Sequence, residues 1–140
     1  MDMPVTKTVR NIMRTIEGCV LDTMTLDKVS DHLTKHGLTG APVLDSSGNL
    51  VGFVSEHDCI KQLAQSSYYC DNTSLVEDVM TTKVLSVGPD ISLIDLSSKM
   101  IENKINVAPV VEDQKIIGLV SRGDVMRKLV EDLENCNLPV

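Results

Sequence analysis

Tryptophan is absent from this chain, and Phe53, Tyr68 and Tyr69 are its only aromatic side chains. Surfaces that bind single-stranded nucleic acid stack bases on aromatic rings, so this scarcity argues against RNA and single-stranded DNA. Positive charge is also in short supply. Thirteen Lys and Arg face twenty Asp and Glu, for a net charge of −7. A nucleic-acid surface needs clustered cations to displace counterions, so nucleic acid is not an expected partner. A local basic pocket for one small anion remains compatible with that balance. The four cysteines, Cys19, Cys59, Cys70 and Cys136, form no C-x-x-C pair and match no zinc spacing. They read as reduced thiols of a cytoplasmic protein. No apolar run approaches the roughly 20 residues of a membrane helix, and Met1 to Arg10 lacks the apolar stretch of a secretory signal. Membrane insertion and secretion are therefore not expected.

What is present is ordinary for a globular protein: 140 residues, 42% hydrophobic and 24% charged. Half of that length is marginal for an independent core, and the chain consists of two similar halves. Ala41, Pro42 and Val43 recur as Ala108, Pro109 and Val110, an offset of 67 that also pairs Met13 with Met80, Leu26 with Leu93 and Ser30 with Ser97. One deletion then changes the offset to 66, which pairs Gly52 with Gly118, Val54 with Val120, Ser55 with Ser121, Asp58 with Asp124 and Leu63 with Leu129. The deletion falls in a turn, between Asp45–Asn49 in one copy and Glu112–Lys115 in the other. Length changes are tolerated best there. The first repeat is placed at residues 7–66, a linker at 67–74 and the second repeat at 75–134.

Within each repeat the pattern alternates. Leu26, Val29 and Leu33 give a helix over Thr25 to His36, ended by Gly37; Leu93, Leu96 and Met100 give its counterpart over Ser92 to Asn103. Lys104 stands in Gly37's place, so the second helix is expected to end differently. Pro42 and Pro109 suit the first residue of a strand. Strands are expected at Val43–Leu44 and Leu50–Val54, then at Val110–Val111 and Ile116–Val120. They are nearly all apolar, which suggests burial on both faces. Further helices begin at Ser55 and Ser121. Short strands, Cys19–Leu21 and Val84–Val87, precede each first helix, and helical turns near Val9–Met13 and Val76–Met80 lead into each unit. The fold class is α/β (α+β), with two β-α-β-β-α repeats packed in pseudo-twofold symmetry.

Two tetrads sit where a strand enters a helix: Ser55-Glu56-His57-Asp58 and Ser121-Arg122-Gly123-Asp124. The plain reading is a relative of the capping box, worth about 1 kcal/mol. The same geometry also suits a nucleotide. A helix start favours phosphate, and a carboxylate one turn in accepts two hydrogen bonds from a ribose diol. Arg14, Lys83 and Arg122 are candidates to balance phosphate charge.

The doubled pattern resembles a tandem pair of cystathionine-β-synthase (CBS) domains. The matching stretches are Gly37 to Asp58 and Ile105 to Asp124, together with Val84 to Asp90. The resemblance implies two clefts at the interface of the repeats that bind AMP, ADP, ATP or a related adenosyl ligand. Asp58 and Asp124 would hold ribose hydroxyls, with Ser55 and Ser121 assisting. Gly40, Ala41 and Pro42, and likewise Val107, Ala108 and Pro109, would flank the base. Ser86 and Cys19 would face the ligand, although Cys19 replaces the usual hydroxyl residue. The second cleft, with Arg122 and Ser86, is expected to be the better nucleotide site. The resemblance also implies a homodimer and a regulatory, energy-sensing role toward a separate enzyme or transporter.

Metal is not expected: His32 and His36 share a helix face but lack further ligands. Nor is catalysis, since no nucleophile–base pair or phosphate loop is present. No cofactor is required on this reading. The competing reading is a structural dimerisation or interaction module with empty clefts.

Overall fold

The computed structural model describes residues 7–71 and 73–136. The first six residues, part of the stretch read for a signal, lie outside the described residues, as does Asn72 of the linker segment.

Among the described residues nine helices and strands form two corresponding sets, five in the first repeat and four in the second: β1 Val20–Leu21, α1 Leu26–His36, β2 Gly40–Leu44, β3 Leu50–Ser55 and α2 Glu56–Tyr69, then α3 Leu93–Asn103, β4 Val107–Glu112, β5 Lys115–Ser121 and α4 Arg122–Glu134. Single 3₁₀ turns at Val9–Asn11, Ile16–Gly18 and Val76–Asp78 connect them. The mixed α+β architecture is the one expected. β2 and β3 pair antiparallel, β1 joins β2 in parallel, and β4 pairs with β5. The one-residue deletion has a clear cause. Asp113 and Gln114 both adopt positive φ in a two-residue turn, whereas the first hairpin spans a longer loop tied by Asp45 Oδ1 to the N–H groups of Ser47 and Asn49.

Four local expectations are corrected. The strand expected at Val84–Val87 shrinks to one parallel bridge, Val87 to Val110. In the first repeat the ladder is extended by the Asp22 N–H, which donates to the Leu44 carbonyl at 2.9 Å. Pro89 occupies the equivalent position and has no N–H to give. The prolines of β2 and β4 sit third in their strands. Phe53, opposite Pro42, exchanges both backbone hydrogen bonds with Thr81, and Leu119, opposite Pro109, does so with Arg14. Each proline therefore faces its hairpin partner across a non-bonded pair, where its missing N–H is not needed. Helix α2 runs on through Tyr69 into the segment read as linker and ends at Cys70 with φ 53°.

The fourth correction concerns Lys104. It takes the left-handed conformation, φ 54° and ψ 45°, as Gly37 does at φ 62° and ψ 39°. Only that conformation lets Lys104 N–H and Ile105 N–H close onto the carbonyls of the last turn. A side chain there is strained. Lys104→Gly should therefore stabilise the chain by up to about 1 kcal/mol, since glycine's greater freedom when unfolded offsets part of the relief. Thermal melts should show a rise of roughly 3 °C.

The lead-in turns cross between the repeats. Val9 N–H donates to the Ile91 carbonyl at 3.1 Å, and Val9 is buried in the core of the second repeat with Val87, Leu96, Ala108 and Val120. Val76 is buried in the first repeat's core with Leu26, Val29, Val43 and Val54. The bridges obey the same symmetry: Thr8 pairs with Ser92 as Leu75 does with Thr25, and Arg14 with Leu119 as Thr81 does with Phe53. Gly52 admits this crossing strand, because a Cβ there would lie 2.8 Å from the Thr81 carbonyl oxygen. Gly118 does the same for the Arg14 carbonyl.

Candidate functional site

Crossing the lead-ins creates two clefts at the seam, each built from both repeats. The first, of about 400 Å³, takes Ser55 from the start of α2. Its other wall comes from Thr81, Lys83, Val84 and Leu85 and from Lys104 to Val107 after the end of α3. The second, of about 220 Å³, takes Ser121, Arg122 and Arg127 from the start of α4, with Arg14, Gly37 and Thr39 opposite.

Both tetrads form capping boxes. Ser55 N–H donates to Asp58 Oδ2 at 3.0 Å, and Asp58 N–H to Ser55 Oγ at 3.1 Å. The pair at Ser121 and Asp124 has distances of 3.1 and 3.2 Å. One turn of helix thus fixes each carboxylate against its serine. Beyond that the sites part. Among the described residues, Asp58 has no cationic partner. Asp124 has two. Arg14 grips it side-on, Nε to Oδ2 at 3.0 Å and Nη2 to Oδ1 at 3.1 Å, while Arg127 also binds Oδ1. The remaining arm of Arg14, Nη1, donates to the His36 carbonyl at the end of α1 at 2.8 Å. Burial alone would raise the Asp124 pKa. The hydrogen bonds from Arg14 and Ser121 outweigh it, so the carboxyl lies below its ordinary 3.8.

Of the residues singled out in the sequence, Ser55, Lys83 and Val107 line the first cleft, and Arg14, Ser121 and Arg122 the second. Gly40, Ala41, Pro42, Ala108 and Pro109 are buried within β2 and β4 and contribute no wall to either cleft. Ser86 is among the wall residues of neither cleft, whereas Arg122 lines the second. Cys19 is half-buried, and burial pushes its thiol up to about 12, so it is a neutral thiol. Thr39, Asn106 and Arg127 carry no signal in the sequence, and Lys104 stands out there only as a helix end. Applying the 66 and 67 offsets to one cleft's residues would have found several of them in the other.

His32 and His36 stack with ring centroids 4.2 Å apart, and His36 Nδ1 lies 3.0 Å from the His32 carbonyl. No three His, Cys, Asp or Glu side chains gather around a possible metal position among the described residues. Among the same residues no helix is long and apolar enough to cross a membrane.

Duplicated repeats with exchanged lead-ins and paired seam clefts define a tandem α+β module. The chain belongs to the CBS-domain family, whose model matches residues 9–65 and 76–131. It is similar to the structure of CBSX2 of Arabidopsis thaliana in complex with AMP, at 30% identity and TM-score 0.75, covering 90% of this chain and 98% of that one. It is also similar to the CBS domain pair of protein MJ0100 in complex with 5′-methylthioadenosine and S-adenosyl-L-methionine, at 25% identity and TM-score 0.75, covering 91% and 98%. A mitochondrial CBS domain-containing protein of Arabidopsis thaliana, CBSX3, is 31% identical over 85% of this chain and 61% of its own length. The chain spans 81% of the length of one curated relative, YhcV of Bacillus subtilis, and 15% of another, the A-adding tRNA nucleotidyltransferase of Aquifex aeolicus.

Proposed function

We propose that this chain is a regulatory module that binds an adenosyl ligand, AMP, ADP, ATP or a relative, in a seam cleft. It would act on a partner by changing its conformation or that of a homodimer. The observation that carries this reading is Asp58. Its carboxylate is fixed to Ser55 by a capping box and keeps acceptor capacity that nothing in the described chain uses; Asp58 is not itself a wall residue, but Ser55 lines a cleft of about 400 Å³ together with Lys83 and Lys104. That volume suits a small ligand. The carboxylate suits a ribose diol, the two lysines suit phosphate, and the backbone around Val107 suits a base. The AMP and adenosyl complexes of the similar proteins support the same ligand class. The reading assigns binding and not catalysis to this cleft. The division into repeats at 7–66 and 75–134, the cytoplasmic location, energy sensing and a separate enzyme or transporter as target belong to the same proposal.

A scaffold reading draws on a different observation. Ile60 on α2, Ile101 on α3 and Leu133 on α4 are 65%, 77% and 74% exposed. Such side chains favour association through the helices, which a homodimer would use whether or not its clefts are filled. Melting temperature separates the two readings. A ligand at about 100 times its Kd adds roughly 2.7 kcal/mol, a rise of several degrees. AMP, ADP, ATP, S-adenosylmethionine and NAD at millimolar concentration form the test set. A rise with at least one is expected, and a flat response to all of them supports the scaffold.

A further inference from the structure

Arg14 and Thr81 occupy equivalent positions, each in the crossing segment opposite Leu119 or Phe53. In the first cleft the short Thr81 side chain accepts a hydrogen bond from the Lys83 N–H and leaves Asp58 alone. In the second cleft the longer side chain crosses to the carboxylate. Nε and Nη2 of Arg14 occupy both oxygens of Asp124, at 3.0 and 3.1 Å. These are the two acceptors that a ribose diol would need. Bidentate arginine–carboxylate pairs are among the stronger polar contacts, and here the Asp124 side chain is only 10% exposed. Withdrawing Arg14 would also strip the His36 carbonyl of its partner at the end of α1. The second cleft has roughly half the volume of the first, about 220 against 400 Å³.

We propose that Arg14 determines which cleft binds: it closes the second by occupying Asp124, so that each chain takes one adenosyl ligand, in the cleft lined by Ser55, the capping partner of Asp58. This rests on the adenosyl reading and adds to it a stoichiometry and the residue that sets it. The sequence-based preference for the second cleft, which rested on Arg122 and Ser86, is thereby reversed, because Arg14 already holds the Asp124 carboxylate there.

Calorimetric titration of the full chain with AMP, and separately with ATP and S-adenosylmethionine, tests it. The wild-type chain should bind one ligand, and Asp58→Ala should weaken it by roughly a hundredfold. Arg14→Thr, which copies the first cleft's residue into the second, should bind two. Asp124→Ala in the Arg14→Thr background should return the count to one. If Arg14→Thr fails to fold, Arg14→Met keeps the apolar stem without the charge and should also bind two. Two ligands on the wild-type chain would overturn the proposal while leaving the adenosyl reading intact. So would a single ligand in both Arg14 variants. No binding by any variant with any of the three ligands would remove the adenosyl reading, and the proposal with it.

Discussion

Asp58→Ala lowers affinity for the adenosyl ligand by about two orders of magnitude while lowering the melting temperature by only a few degrees. Two separate roles meet in that carboxylate. On the proposed reading it accepts hydrogen bonds from the ribose diol, and bonds to a charged acceptor contribute about 1.5–3 kcal/mol each. Loss of even one or two of them accounts for the drop in affinity. Its structural role is smaller. Oδ2 accepts the Ser55 N–H to close the capping box of α2, and a cap contributes about 1 kcal/mol, or roughly 3 °C in a chain of this size. Titration calorimetry and melting curves on the same preparation read the two effects apart. Asp58→Asn, which keeps an acceptor for Ser55 but not the charge, should melt nearly like wild type and still bind weakly. Unchanged affinity in both variants would refute the ribose assignment.

Leu119→Ala should be the most damaging single truncation among these sites, with a loss of about 3 kcal/mol within the 2–5 kcal/mol usual for a buried leucine. Leu119 is fully buried and, although it lies in β5 of the second repeat, it packs in the core of the first. A Cβ on Gly18 would meet its Cδ2 at 2.6 Å, which shows how closely the 3₁₀ turn Ile16–Gly18 lies on this side chain. Its backbone exchanges two hydrogen bonds with Arg14, at 2.7 and 3.1 Å. The melting temperature should fall by about 10 °C. Because Val9 and Val76 each sit in the opposite repeat's core, unfolding should remain one transition in scanning calorimetry. Two resolved transitions would mean that the repeats unfold separately, against the exchange of Val9, Val76 and Leu119 between the two cores.

Much of this was legible in the sequence because it is local. The helices α1 and α3 follow from the spacing of their leucines, and the capping boxes from Ser-x-x-Asp. The hairpins follow from short apolar runs either side of a turn. Lys104 was misread because a side chain in the left-handed region is disfavoured alone, yet tolerated where it closes a helix end. Helix α2 passes through Ser66 and Ser67, which by composition resemble a loop. The crossing of the lead-ins left no mark in the sequence. Periodicity tells which face of Val9–Asn11 and Val76–Asp78 is apolar, but not which core receives it. The same gap hid the ion pair of Arg14 with Asp124, 110 residues apart. Arg14 was recognised as a cation near a cleft. What it was paired with depended on a fold that brings opposite halves together.

The crossed lead-ins also bear on why the two copies share one chain. Two separate copies of a single repeat could swap their leading arms and form both clefts, but the clefts would then be identical. Whatever residue one presented, the other would present too. Joining the copies covalently frees each position to change without its mate, as Arg14 and Thr81 have done at equivalent places. An inseparable pair of halves can therefore keep one cleft open and the other occupied by its own arginine, a division of labour that a symmetric assembly of identical repeats cannot encode.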